Sequence, residues 1–199
     1  VKRRKQNGFY YEIDISGHLK DKCYHMEYVN GLIHKLFGVK FNQQILEQSN
    51  ILMLRKQSQA ICLFLKNVFG LSHNKNNVVI PELVLKSDLK TKSAFLRGLA
   101  DSDFCFTVKY KPHAYPVIHG TSKSEQLIRQ YSDILSELGV QNYVQKEKNF
   151  YVKRNKEYPR YRVYINGGKR VKRFMDRVGF QNPNKVKKYE LFLEKAYCL

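Results

Sequence analysis

Cysteine is scarce in this sequence, and the few cysteines present are badly placed for cross-links or metal. The four of them, Cys23, Cys62, Cys105 and Cys198, lie far apart without a CxxC pair, and the six histidines never take zinc-finger spacing. This pattern argues against a disulfide framework and against a structural zinc site. We therefore expect reduced, structural thiols.

Long hydrophobic runs are also missing. No apolar run approaches the ~18 residues that a membrane-spanning helix needs, and no signal-peptide pattern opens the sequence. We expect a protein without a membrane partner that stays inside the cell, in the cytoplasm or an organelle, and is not secreted.

Acidic residues are outnumbered. Seventeen Asp and Glu stand against thirty-six Lys and Arg, which gives a formal net charge of +19 and a pI near 9.8. Such an excess favours a polyanionic partner, above all nucleic acid. Hydrophobic residues make up 43% of the 199 residues, enough to build a real core.

The chain repeats one pattern of strand, helix, strand and helix in its two halves. The first half places strands at 9–16 and 51–56, with helices that end at Gly38 and Gly70. The second half places strands at 115–120 and 160–166, with helices that end at Gly139 and Gly179. Ser122 and Glu125 form a capping box that predicts the start of the helix after the first of these two strands.

This order predicts an α+β fold, a duplicated αββαββ module with one piece missing. The first half-module takes residues 1–80 and lacks its first helix. The second takes 81–199 and contains a helix over 88–103 and a C-terminal amphipathic helix after Pro183, while Pro81 starts a short helix.

The helix at 88–103 has an unusual face. Ala94, Gly98 and Ser102 recur every four residues, which makes one side of the helix flat and small. A glycine inside a helix costs about 1 kcal/mol relative to alanine. The spacing therefore favours tight packing of this face against another helix backbone.

Asp101 and Asp103 lie at the end of the same helix. The helix dipole disfavours a carboxylate there by about 0.3–1 kcal/mol. A bound divalent cation would reverse the sign of this effect. A helix that simply ends in a solvated, Asp-rich turn explains the two acids equally well at this point.

The stretch LRGLADSDF, residues 96–104, resembles the LAGLIDADG motif of homing endonucleases. Leu96, Gly98, Leu99, Asp101 and Asp103 match the motif and Ser102 takes a small-residue position. Arg97, Ala100 and Phe104 depart from it, and Phe104, in the place of the usual glycine, can begin the next strand. The duplicated architecture extends the resemblance over nearly the whole chain.

The resemblance implies two antiparallel sheets that form a DNA-binding saddle, with helices on the back. It implies that two motif helices pack through their small residues, and that the penultimate acid, here Asp103, holds a divalent ion over the scissile phosphates. Mg²⁺ would be bound by Asp103 and a nearby carbonyl such as that of Ser102, while Asp101 would orient the turn.

Other site residues follow from the same resemblance. Lys22 and Lys123 match the central basic positions that assist the attacking water. Lys75 and Lys185 are weaker candidates for that role.

The partner of Asp103 falls at about Val1 or just before it, so the first motif helix is missing from the sequence. An N-terminal helix that precedes these residues, a degraded reading frame and pairing of two chains all explain this. The first two leave a monomer with pseudo-two-fold symmetry and the third gives a homodimer. Without a second acid we do not expect a monomer to cut both strands, whereas binding could survive.

The segment FCFTVKYK alternates an apolar face with a basic one, which predicts that the basic face looks into the DNA groove. Arg160 and Arg162 are the residues expected to read bases, since arginine pairs with guanine. The full set of predicted DNA-binding residues is Lys2, Arg4, Arg55, Thr107, Lys109, Lys111, Arg160, Arg162 and Tyr164.

Two functions therefore remain open. One is a site-specific endonuclease that cuts a long asymmetric double-stranded DNA target to move an intron or intein. The other is a binder that does not cleave, such as a maturase that holds structured RNA or a degenerate endonuclease.

Overall fold

The structure, a computed structural model, describes residues 2–5, 8–71, 78–110, 114–151 and 155–197. The chain divides into two compact units, with the division between residues 73 and 74. Each unit contains one four-stranded antiparallel sheet. The predicted α+β class with two antiparallel sheets is confirmed.

The first unit has its strands in the spatial order β1-β2-β4-β3. Its strands are β1 Lys2–Lys5, β2 Gly8–His18, β3 Asn42–Leu46 and β4 Ile51–Gln57, and its helices are α1 Asn30–Phe37, which continues a π-helical segment Tyr24–Val29, and α2 Gln59–Phe69. Short 3₁₀ turns lie at Leu19–Asp21 and Glu47–Ser49.

The core of the first unit is small. Ile33, Phe41 and Leu54 form its buried centre. The side chain of Asn30 fixes the chain beyond α1, because it donates to the carbonyl of Phe41 at 3.0 Å and accepts from the amide of Phe41 at 2.8 Å. Gly38 ends α1 with φ of +68°, a conformation that glycine adopts without a steric penalty.

The second unit has its strands in the order β5-β6-β8-β7. Its elements are α3 Glu82–Leu85, α4 Leu89–Asp103, β5 Phe104–Lys109, β6 Tyr115–Ser122, α5 Glu125–Glu137, β7 Tyr143–Tyr151, β8 Lys156–Asn166, α6 Gly168–Arg177 and α7 Pro183–Tyr197.

A larger core holds the second unit together. Leu96 of α4, Ile118 of β6, Ile128 of α5, Val163 of β8 and Phe174 of α6 are completely buried in one cluster. Burial of each such side chain is worth about 1.5–3 kcal/mol. One face of the sheet is therefore covered by helices, and its other face carries the polar residues described below.

One local prediction was wrong, and two strands were missed. Helix α5 is capped by Ser124, whose hydroxyl accepts from the amide of Leu127 at 3.2 Å, and the predicted cap Ser122 instead accepts from the amide of Ser124 at 3.1 Å. Strands β3 and β7 were not predicted. Both are polar edge strands without the alternation of a half-buried strand.

Within the described residues, no helix combines the length and the apolar character needed to cross a membrane.

Candidate catalytic centre and nucleic-acid interface

Helix α4, which carries the motif, is anchored on one side along its length. Leu96 and Ala100 are fully buried. The Ser93 hydroxyl and the Arg97 Nε donate to the carbonyls of Arg177 and Val178 at the end of α6, each at 2.6 Å. Arg97, which departs from the motif, thus fastens the helix to its neighbour.

Phe104 is the first residue of β5, with φ of −87° and ψ of 145°. Its ring is buried and packs where the side chain of residue 120 would project, since a Cβ built on Gly120 would lie 2.3 Å from it. A strand conformation at this position requires no glycine. The departure from the motif at Phe104 therefore leaves the helix-to-strand junction intact.

Asp101 points into the protein rather than toward a ligand site. Its side chain is buried, and Oδ1 accepts from the backbone amides of Gln181 and Asn182, both at 2.9 Å. Two amide donors offset the repulsion of a carboxylate at the negative end of a helix. Asp101 thereby fixes the loop that leads into α7.

Lys185, near the start of α7, supplies a positive charge at the end of α4. Its Nζ donates to the carbonyl oxygens of Ala100, Asp101 and Phe104 at 2.6, 2.7 and 2.6 Å. The last carbonyls of a helix have no intrahelical partner, so this ammonium serves as a C-terminal cap. The resemblance suggests a role beside the attacking water for Lys185, and no local signal in the sequence points to this capping contact.

Asp103, the last residue of α4, is exposed. Protein atoms still surround enough of its carboxyl that burial raises the pKa of Asp103, and the nearby Lys185 acts in the opposite direction. The carboxylate is thus a partly desolvated anion that lies close to one cation.

Ser102 is exposed, and its hydroxyl donates to the Leu99 carbonyl at 3.1 Å. The backbone carbonyl of Ser102 is not one of the three that Lys185 binds.

These donors suit a divalent cation only in part. No group of three or more His, Cys, Asp or Glu side chains that could hold a metal ion occurs in the described part of the chain. Magnesium is commonly held by one or two carboxylates together with water and substrate phosphates. The Asp103 carboxylate and the Ser102 carbonyl therefore fit a metal site that is shared with a phosphate.

The predicted catalytic lysines both lie on the surface. Lys123 follows β6 and its Nζ lies 5.3 Å from the ring centroid of Tyr158. Lys22 is exposed and has helical backbone angles at the end of the 3₁₀ turn Leu19–Asp21, before the π-helical segment. Their catalytic roles stay predictions, and Lys75 lies outside the described residues.

The small-residue face of α4 is open. Ala94, Gly98 and Ser102 are all exposed, and a Cβ added at Gly98 would meet no described atom within 4 Å. Packing of a second helix on this face stays a prediction.

The polar face of the second sheet carries an aromatic row that crosses three strands. His119 of β6, Tyr164 of β8 and Tyr143 of β7 are cross-strand partners, and Cys105 of β5 extends the row. The rings of Tyr143 and Tyr164 stack at 5.1 Å, and His119 lies 5.7 Å from Tyr164. These rings give the sheet face apolar surface beside its polar groups.

Other predicted DNA contacts surround this row. Thr107 and Lys109 are exposed, and they alternate along β5 with the same parity as Cys105, the partner of His119, so they share its face of the sheet. Lys111 lies outside the described residues.

Arg160 and Arg162 do not stand free. Glu147 of β7 accepts from Arg160 Nη2 at 2.8 Å, from Arg162 Nη1 at 3.2 Å and from the Tyr164 hydroxyl at 2.9 Å. Hydrogen bonding to Arg160 is the main reason that the pKa of Glu147 is lowered. Sequence reasoning missed Glu147 because it missed β7; the signal was an acid in the basic stretch QKEK.

In the first unit, Arg55 of β4 is paired in a similar way. Its Nε donates to the Asp14 carboxylate at 2.7 Å and lies 3.5 Å from the buried Glu12. Each sheet thus holds arginine against an acid on a neighbouring strand.

The register of β1 places Lys2 and Arg4 in a different set from Lys109. Lys2 pairs with Tyr11 and Arg4 pairs with Phe9, and these partners lie on the same face of β2 as Ile13. Lys109 pairs instead with Tyr115, on the face of the second sheet that carries the aromatic row. DNA contacts by Lys2 and Arg4 stay predictions.

The Asp101→Ala variant should unfold more easily, because it leaves the amides of Gln181 and the buried Asn182 without an acceptor. We expect its free energy of unfolding to fall by about 2–4 kcal/mol, measured by urea denaturation. Asp133→Asn, which removes an exposed acid from α5, is the control and should change stability little. Equal stability of the two variants would contradict the structural role of Asp101.

Comparisons with known proteins agree with this geometry. A family model described as a LAGLIDADG-like domain matches residues 90–179, while a search of curated protein sequences finds no match. Among solved structures, I-DmoI in complex with DNA and Ca shares 17% identity, over 96% of this chain and 88% of that one, with a TM-score of 0.62.

Two further structures are similar. The I-LtrWI LAGLIDADG homing endonuclease bound to target DNA shares 17% identity, over 96% of this chain and 81% of that one, with a TM-score of 0.58. I-SmaMI bound to an uncleaved DNA target with calcium ions shares 12% identity, over 98% and 84%, with a TM-score of 0.59. The resemblance read from residues 96–104 is confirmed: residues 90–179 match the model of a LAGLIDADG-like domain, and the chain has the fold of the LAGLIDADG homing endonucleases.

Proposed function

We propose that this protein is a site-specific endonuclease that hydrolyses double-stranded DNA with the help of a divalent metal ion, and that it serves the mobility of an intron or intein. The observation that carries the proposal is the position of Asp103. It ends a helix whose next residue begins β5, and the first outward-facing positions of β5 belong to the polar, aromatic and basic face of the sheet. The similar structures of I-DmoI and I-LtrWI in complex with DNA support the same substrate.

The binding step rests on the sheet faces. Lys109 carries the positive charge expected to contact phosphate, and Arg160 and Arg162 offer the planar donors that pair with guanine. With a net charge of +19, the protein should associate with DNA quickly. We propose that it binds as a monomer with two pseudo-symmetric halves.

The cleavage step rests on the end of α4. Asp103 and the Ser102 carbonyl would hold Mg²⁺, which when bound polarises the phosphodiester and stabilises the leaving oxygen. Lys185 fixes the helix end that carries both groups. By the resemblance, Lys123 would assist the attacking water in the second unit, and Lys22 is the matching candidate in the first.

A test of this function can start without a defined target sequence. A randomised duplex DNA library is incubated with the protein in Mg²⁺ or in EDTA, and the ends at breaks in either strand, nicks included, are sequenced. We expect one long motif at the ends, only in Mg²⁺. Ends without a common motif, or equal cutting in EDTA, would contradict the proposal.

Binding should also depend strongly on salt. With about six to ten phosphate contacts, we expect affinity for duplex DNA to fall by about 10³ to 10⁵ between 50 and 200 mM salt. A flat salt response would contradict the electrostatic interface. Tighter binding to structured RNA than to duplex DNA would favour the maturase alternative.

A further inference from the structure

Glu147 is the one acid that joins three predicted DNA contacts within the described part of the second sheet. Its Oε1 accepts from Arg162 and from the Tyr164 hydroxyl, and its Oε2 accepts from Arg160. Arg162 Nη1 also donates to the Tyr164 hydroxyl at 3.0 Å. The three side chains therefore share one carboxylate and cannot move independently.

The environment of this group makes the arrangement rigid. The side chain of Glu147 is 20% exposed, and those of Arg160 and Arg162 are 30% and 22% exposed. Tyr164 is further held by its stack on Tyr143. Partly buried, charge-assisted hydrogen bonds of this kind are stronger and more directional than exposed ion pairs.

The described contacts leave part of each guanidinium unused. Glu147 accepts a hydrogen bond from one terminal nitrogen of Arg160 and from one terminal nitrogen of Arg162. The Nε atoms of both arginines are buried and have no partner among the described residues. The contacts with Glu147 and Tyr164 use Arg160 Nη2 and Arg162 Nη1, so Arg160 Nη1 and Arg162 Nη2 can bind acceptors outside the protein while the carboxylate holds the planes in place.

Charge decides what such an arginine contacts. An unpaired arginine is drawn to the nearest phosphate, a contact that carries no sequence information. Two arginines that share one carboxylate keep a net charge near +1, so the pull toward phosphate is weaker. A fixed guanidinium plane can still pair with guanine in the major groove.

We propose that Glu147 is a specificity-determining residue, which positions Arg160, Arg162 and Tyr164 to read bases instead of binding phosphate. The inference rests on the proposed function, because it requires duplex DNA as the substrate. It concerns recognition alone and does not require cleavage.

The test compares wild type, Glu147→Gln and Glu157→Gln. Glu157 pairs with Lys148 at 3.2 Å on the same two strands, but it belongs to the residues that alternate with Glu147 and Arg160, and it is exposed. Its variant therefore makes the same change in charge at a distance from Arg160, Arg162 and Tyr164. Each protein selects binders from a randomised duplex library in Ca²⁺. Affinity is then measured for the selected sequence and for a scrambled duplex.

We expect Glu147→Gln to lower the ratio of the two affinities by ~10-fold to ~100-fold, because the scrambled duplex binds as well as before or better. The sequence motif selected by Glu147→Gln should become less specific at a few adjacent base pairs. The dependence of its DNA affinity on salt concentration should become steeper, by about the amount that one additional phosphate contact gives. Glu157→Gln should keep the wild-type ratio and motif.

A merely structural role would give another result. Loss of affinity for both duplexes in parallel, together with a lower melting temperature, would overturn the inference. An unchanged ratio and motif in Glu147→Gln would also overturn it and leave the proposed function standing. A wild-type protein that selects no motif would contradict the proposed function itself.

Discussion

The Asp103→Asn variant should cleave DNA at least about 100-fold more slowly than wild type. Mutation of a residue that only supports a metal ligand already lowers metal affinity or activity by about 10-fold to 100-fold, so loss of the ligand itself should cost at least the upper value. The carboxylate is the only acidic group that the described part of the second unit offers at the end of α4 beside the buried Asp101. Single-turnover nicking of the selected duplex in Mg²⁺ and in Mn²⁺ measures the effect.

Binding should separate from cleavage in this variant. Removal of a negative charge near the phosphates is expected to leave duplex affinity unchanged or to raise it. Asp133→Asn, which changes an exposed acid on α5, is the control and should keep both activities. Undiminished nicking by Asp103→Asn would remove Asp103 from the mechanism.

Stability provides a check that the variant folds. Because burial raises the pKa of Asp103, the protonated form is favoured in the folded protein, and that contribution is lost as the pH rises through the folded-state pKa. At neutral pH the ionised carboxylate therefore opposes folding. The free energy of unfolding of Asp103→Asn should be equal to or higher than that of wild type.

The Lys185→Met variant should lose stability and activity together. It removes the ammonium that binds three carbonyls at the end of α4. Hydrogen bonds from a charged donor contribute about 1.5–3 kcal/mol each and do not add fully. We therefore expect the free energy of unfolding to fall by about 2–4 kcal/mol, measured by urea denaturation.

Controls on the same helix isolate this effect from charge. Lys188→Met removes an exposed lysine of α7 and should leave stability nearly unchanged. Lys185→Arg keeps the charge, but a planar guanidinium cannot direct one nitrogen at three converging carbonyls, so we expect an intermediate loss. Equal stability of Lys185→Met and Lys188→Met would contradict the capping role.

The elements that sequence analysis located are those with strong local signals. Gly38, Gly70, Gly139 and Gly179 each have positive φ where a helix was predicted to end. The motif helix and its last acid were located because the pattern of small residues and aspartates is local to residues 94–103.

What sequence analysis missed depends on contacts between distant segments. Lys185 meets carbonyls that lie more than 80 positions earlier in the chain, and no local pattern encodes that approach. Glu147 sits in an edge strand whose polar residues resemble a loop. The acid that organises the arginines was therefore overlooked even though the arginines were named.

The contacts between α4 and α7 run in both directions. Asp101 of α4 accepts from amides at the entrance to α7, and Lys185 of α7 donates to the end of α4. Each of the two helix ends therefore helps to hold the other in place. The end of α4 that carries Asp103 reaches its full set of contacts only when residues 181–185 lie against it.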